Sequence, residues 1–303
     1  MALAPSSTPA GSRSWPWTHK LAVAFAALGA VAMVASIWLG LAADDPKVAQ
    51  AFHAGLVAAG ATALGTLPVL LSQRLSVRMR DIMLGFGAGV MLAASAFSLV
   101  VPGLRAAESL GHDSWGSAGI VGLGILLGAF ALVAIDRWVP HEHFIKGFEG
   151  SRERARAIRR SWLFVFAISL HNLPEGLAIG VAYAGTDALR AAALATGIAI
   201  QDLPEGLVIA TALRSAGYGR GFSVMLGAAS GLVEPMGAVA GAAVIGLSAG
   251  LLPWGLAFAA GAMLFVISHE MIPESHRAGH ERWATGGLMV GFVLMMMLDT
   301  ALG

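Results

Sequence analysis

There is no cysteine among the 303 residues, which excludes disulfides and thiolate metal sites alike. Any bound metal has to be held by His, carboxylate, amide or thioether groups. Charge is scarce as well. Asp, Glu, Lys and Arg make up 12% of the chain and hydrophobic residues 57%, a balance too apolar for an ordinary soluble domain. The formal net charge of +1 says little by itself, and no nucleic-acid partner is expected. What the chain has in quantity is glycine, 39 residues, which suits helices that approach closely within lipid.

A helix needs about 20 apolar residues to cross the hydrocarbon. That ruler predicts an all-α, polytopic membrane helix bundle of about nine spans, at roughly 20–43, 50–73, 81–102, 117–136, 161–185, 188–213, 221–247, 253–273 and 285–302. Residues 1–19, rich in Ser, Pro and Ala, are expected to be a disordered tail. Lys20 precedes an apolar run that ends in Leu41-Ala42-Ala43. The run is longer than the ~7–15 residues of a signal peptide's apolar region, so it reads as a retained span.

The loop charges orient the bundle. If the spans alternate, all of the nineteen Lys and Arg except Lys47, Arg105 and Arg190 fall on the side of the N-terminus. Basic loops face the cytoplasm. The reading therefore puts the N-terminus inside and the C-terminus outside a cell (inner or plasma) membrane. The long loop at about 137–160 is then cytoplasmic. It holds His141, His143 and the basic run Arg152 to Arg160, read as a solvated helix start beside anionic headgroups.

Ionisable groups inside a span are expensive and mark function by default. The fifth span contains His171-Asn172-Leu173-Pro174-Glu175-Gly176, and the sixth contains Gln201-Asp202-Leu203-Pro204-Glu205-Gly206. Each begins well into its helix, so both lie near the bilayer midplane at 1.5 Å per residue. Residues four apart share a helix face, so His171 points with Glu175 and Gln201 with Glu205. Pro174 and Pro204 each lack an N–H and free a carbonyl one turn back. Weakened, polar segments in repeated copies are the expected pointer to a transporter's binding site.

The seventh span adds Glu234-Pro235. Glu175, Asp202, Glu205 and Glu234 could not all stay ionised at low dielectric without compensation. Two divalent cations would neutralise them, with Glu175 and Glu205 as bridges. Imidazole, carboxylate and amide ligands without sulfur suit Zn²⁺, Fe²⁺, Mn²⁺ or Cd²⁺. His269, Glu270 and Glu274 at the end of the eighth span would lie toward the cytoplasm, as an exit or relay. His53, Asp113 and Asp299 read as solvated residues at the outer side. Met91, in the Gly-rich third span, is a packing residue with a thioether that could face the site.

The two repeated motifs, the Glu234-Pro235 helix and His269-Glu270 resemble the ZIP (Zrt/Irt-like protein) family of divalent-metal transporters. The likeness covers roughly residues 50–302, an eight-helix core preceded by one extra span. It implies uptake of zinc and related metals through a binuclear site, with Zn²⁺, and also Cd²⁺, Fe²⁺ and Mn²⁺, as cargo. One metal would be held by His171, Glu175, Gln201 and Glu205, with Met91 completing that set. The second would be held by Asn172, Glu175, Asp202, Glu205 and Glu234. His269 and Glu270 match the family's cytoplasm-side pair. The resemblance also implies an elevator-like shift of the second, fifth, sixth and seventh spans past the others. The chain has only His141 and His143 where many relatives have a His-rich loop. The partners implied are metal ions and the lipid bilayer; homodimerisation stays open.

Two other classes compete. An intramembrane metalloprotease needs His-Glu-x-x-His, but Pro273 stands where the second His is required, so no enzyme is expected. A proton-coupled transporter of another solute could use the carboxylates and His171 as a relay. Such a relay does not need Asn and Gln beside every acid.

Overall fold

The computed structural model describes residues 45–71, 76–138, 171–215 and 217–302. Among the described residues all regular structure is helical, with no strand. In chain order the helices are α1 (Pro46–Thr66), α2 (Val77–Ser109), α3 (Ser114–Trp138), α4 (171–185), α5 (Ala188–Ser215), α6 (Arg220–Leu247), α7 (Ala249–His276) and α8 (Glu281–Leu302). All but α4 are long and apolar enough to cross a membrane, and the protein is an all-α polytopic bundle. The tail 1–19, the expected span 20–43, the first half of the fifth span and the loop from 139 onward lie outside the described residues.

Capping sets the helix starts earlier than hydropathy alone suggests. Asp45 Oδ1 accepts from the Lys47 N–H at 2.9 Å, with Pro46 in the first position of α1, a residue whose fixed φ suits that place. Ser76 Oγ accepts from the Met79 N–H at 3.2 Å and opens α2. At the same end of α1, Lys47 Nζ donates to the Ala184 carbonyl at 2.7 Å, tying the end of α4 to the start of α1.

Proline acts in a different way from the sequence expectation. Pro204 lies inside α5, and α4 continues through Pro174, without interruption. The wide turns come elsewhere. α2 loosens into a π segment at Ala94–Val100 ahead of Pro102, and α7 does so at Ile267–Met271 ahead of Pro273. In both, the bond runs five residues back, from the Val101 N–H to Ala96 O and from the Ile272 N–H to Ile267 O. A proline ring crowds the carbonyl four residues earlier, and the wider turn moves that carbonyl aside. The one true break within the described spans is at Gly231-Leu232, which divides α6 into Arg220–Ser230 and Val233–Leu247.

Glycines then dictate which helices pair. A Cβ on Gly176 would lie 2.2 Å from the Glu234 carbonyl oxygen, and one on Gly180 2.1 Å from that of Ala238. Four residues along α4 thus step four along α6 in the same sense, so the two run parallel. The same holds for α2 and α8, where Gly85 abuts Ala284 O and Gly89 abuts Leu288 O. Reciprocal contacts of this kind join α1 to α5 (Gly65 on Leu203 O, Gly206 on Thr62 O) and α3 to α7 (Gly128 on Phe258 O, Gly261 on Ile125 O). Backbone-to-backbone approach of this sort is what small residues permit in lipid.

The pairs collect into two sets. α1 packs on both α5 and α6, and α6 on α4, while α2, α7, α3 and α8 form the second set. Between the sets the close contacts are made by side chains. A Cβ on Gly197 of α5 would meet Met295 of α8, and one on Gly185 of α4 would meet Leu252 of α7.

Gly206→Ala forces a methyl to within 2.0 Å of the Thr62 carbonyl oxygen, whereas Gly60 has nothing within 4 Å. Thermal melting in detergent is expected to show Gly206→Ala destabilised by about 1–3 kcal/mol and Gly60→Ala neutral or slightly stabilised. Equal melting of the two variants would mean that the α1–α5 approach is not constraining.

Candidate metal centre

The helical repeat brings the two motifs face to face. α4 delivers His171, Asn172 and Glu175; α5 delivers Gln201, Asp202 and Glu205 just past its middle; α6 delivers Glu234 in the first turn after its break. All seven are buried, with no more than 4% of any of them exposed. One oxygen each from Glu175, Asp202 and Glu205 lie within 4.8 Å of one another. Glu234 joins through Asn172, whose Nδ2 lies 3.1 Å from its Oε1.

Two amides organise the acids. Gln201 Nε2 donates to Glu175 Oε1 and, at 2.9 Å, to Asp202 Oδ1. Asn172 Nδ2 donates to the Ser230 carbonyl at 3.2 Å and to Glu234 Oε1 at 3.1 Å. In each amide the nitrogen is used and the oxygen is left over. Eight buried atoms in the cluster have no partner among the described residues: His171 Nδ1, Asn172 Oδ1, Glu175 Oε2, Gln201 Oε1, Asp202 Oδ2, both oxygens of Glu205 and Glu234 Oε2. Buried polar atoms in native proteins nearly always have a partner. All eight are able to accept, so the cluster presents lone pairs with nothing to donate to them. That is the donor set that fits a cation.

The surrounding predicted residues separate into different environments. Glu270 reaches the cluster, its Oε2 2.9 Å from His171 Nε2, across the boundary between the two helix sets. Its neighbour His269 turns away, exposed and stacked on Phe265 with ring centroids 5.0 Å apart. Glu274 pairs with Arg277 at 3.0 Å. Met91 is buried on α2 in the apolar core. His53 is exposed, with Nδ1 2.7 Å from its own Ala49 carbonyl, and Asp113 accepts from the Gly116 N–H at the start of α3. Asp299 accepts from Ser98 Oγ at 2.6 Å. His141 and His143 lie outside the described residues.

Two features escaped the sequence reading. Thr62 on α1 is fully buried, and its Oγ1 lies 3.2 Å from Glu234 Oε1. The only hint was a threonine in an Ala- and Gly-rich span, with no repeat to single it out. At the start of α2, Asp81 is fully buried, 2.9 Å from His280 Nδ1 in the turn before α8 and 3.7 Å from Arg80.

Comparison with known proteins gives the same direction. A family model described as ZIP zinc transporter matches residues 141–299. The zinc transporter GufA of Myxococcus xanthus is 48% identical over 250 residues, covering 82% of this chain and 98% of its own. Zinc transporter ZIPB of Bordetella bronchiseptica is 49% identical over 288 residues, covering 93% of this chain and 92% of its own. The human zinc transporter ZIP11 is 32% identical over 323 residues, covering 80% and 94%.

Asn172→Asp would replace a donor by an acceptor against both the Ser230 carbonyl and Glu234. With chelator present, its thermal stability is expected to fall by about 1–3 kcal/mol, the range for a buried polar group left unpaired. Melting at the parent temperature would mean that the amide does not hold α4 against α6.

Proposed function

This chain belongs to the ZIP family, and on that premise we propose that it carries Zn²⁺ and related divalent metals into the cytoplasm through two ion positions inside the bilayer. It is a multi-pass membrane transporter and not an enzyme. The observation that carries the reading is the convergence of eight unpartnered acceptor atoms on three neighbouring helices. His171, Glu175, Gln201 and Glu205 would hold one ion. Asn172, Glu175, Asp202, Glu205 and Glu234 would hold the other, with Glu175 and Glu205 shared. Both amides would bind through oxygen, because their nitrogens are already committed to neighbouring acceptors. Such an oxygen-rich set without thiolate suits borderline and hard divalent ions.

The motion we propose is a sliding of α1, α4, α5 and α6 as one body past α2, α3, α7 and α8. Supporting it, the close approaches within each set are backbone against backbone, which resists rearrangement, while flexible side chains fill the seam. His171 and Glu270 face one another across that seam. Glu270 would thus meet the cargo's histidine ligand on the cytoplasmic path. The loop charges support a cytoplasmic N-terminus.

Glu175→Ala and Glu205→Ala should each abolish stoichiometric Zn²⁺ binding to chelator-stripped protein and reduce uptake into liposomes by at least about 100-fold. Calorimetric titration together with a fluorescent zinc indicator inside the vesicles measures both. A parent protein that binds no Zn²⁺ stoichiometrically yet moves protons would instead support a proton-coupled transporter of another solute.

The chain's lack of cysteine permits a direct test of sliding. In Gly197→Cys with Met295→Cys, the shortened residue 295 makes room for the new side chain at 197. Oxidative cross-linking should stop zinc uptake, and reductant should restore it. Full transport by the cross-linked protein would rule out movement along this seam.

A further inference from the structure

Glu234 is the acid whose placement the helix secures least. It follows directly on the Gly231-Leu232 break, in the first turn of Val233–Leu247. Two donors from other helices locate it instead, and both use the same oxygen. Asn172 Nδ2 lies 3.1 Å and Thr62 Oγ1 3.2 Å from Glu234 Oε1, while Oε2 is buried with no partner among the described residues.

From this we infer that Thr62 is a positioning residue for metal binding: its hydroxyl occupies one oxygen of Glu234, so the acid offers a cation only the other. The inference rests on the metal site proposed above.

Thr62 is itself tightly held. Its carbonyl oxygen would be 2.0 Å from a Cβ on Gly206, the residue after Glu205. Its Cβ would be 2.9 Å from a Cβ on Gly231, at the break in α6. A β-branched side chain in a helix has few rotamers, and neighbours this close remove more of that freedom. The hydroxyl carries a single proton. Of the two acceptors in reach, Glu234 Oε1 at 3.2 Å is nearer than the Ala58 carbonyl at 3.4 Å. Thr62 thus stands at the crossing of α1, α5 and α6, one side chain from a ligand and making no ligand bond of its own. Residues that orient ligands in this manner typically change metal affinity by about 10–100-fold when lost. One-oxygen binding at Glu234 also keeps the coordination number low, as Zn²⁺ prefers and as ions needing six or more oxygens do not.

The test is Zn²⁺ titration of the chelator-stripped full chain in detergent. Variants are Thr62→Val, Thr62→Ala and Thr62→Ser, with Glu234→Gln alone and combined with Thr62→Val. One of the two binding steps should weaken about 10-fold in Thr62→Val and Thr62→Ala, and Thr62→Ser should stay within about threefold of the parent. In the Glu234→Gln background, Thr62→Val should add no further loss. Parent-like binding by Thr62→Val overturns the inference. So does a serine variant as weak as the valine one, which would point to the methyl's packing, or a valine effect that persists without the Glu234 carboxylate. If Glu234→Gln alone leaves both binding steps intact, the ligand role of Glu234 fails rather than the role of Thr62. Should Thr62→Val not yield folded protein, the alanine and serine variants decide.

Discussion

A carboxylate taken out of water into a helix bundle loses hydration worth several kcal/mol, even after relaxation. This protein gathers four of them, from α4, α5 and α6, into one buried cluster. Much of the local architecture follows from making that arrangement tolerable. Two amides, one hydroxyl and one backbone carbonyl divide the oxygens into a held set and an open set. The held oxygens give the cluster a shape before any cation arrives. The open ones give it affinity, and a site built from oxygen and one imidazole need not grip its cargo permanently.

Such a site has to be carried by helices whose spacing does not drift. Lipid supplies no hydrophobic drive between helices, so packing itself must do the work. The glycines of the cluster-bearing set stand beside the acids in sequence: Gly176 follows Glu175 and Gly206 follows Glu205. Each lets a carbonyl of the neighbouring helix approach to where a Cβ would otherwise sit, that of Glu234 for Gly176 and that of Thr62 for Gly206. The residue after each acid thus sets the distance to the helix that completes or steadies the site. The sequence pattern Pro-Glu-Gly carries this meaning twice.

How far the sequence foretold all this depends on the kind of signal. Long apolar runs and their flanking charges mark the spans, because hydropathy is summed over many residues and tolerates errors of a few positions. The spacing of His171, Asn172 and Glu175, and of Gln201, Asp202 and Glu205, predicts shared faces because the helical period is rigid. Proline was a poorer guide. Pro174 and Pro204 mark points of weakness in the sequence but sit in uninterrupted helices, and the break lies at Gly231-Leu232. One missing N–H says where a hydrogen bond is lost, but not how neighbouring turns absorb the loss. Thr62 was invisible for another reason: its role exists only once α1 crosses α6, and nothing local encodes that crossing. Adjacent His269 and Glu270 read as a pair, yet only Glu270 reaches His171.

That last separation, one step around a helix, falls within the wide turn at Ile267–Met271. A π turn holds more residues than an α turn, so it acts like a phase shift inserted into the helical wheel. Faces counted forward from Leu252 and faces counted backward from His276 do not coincide across it. The same discontinuity interrupts α2 at Ala94–Val100. In both helices a single added or lost residue there would re-aim everything beyond it, while a substitution of similar size would not. These stretches should therefore accept changes of side chain far more readily than changes of length.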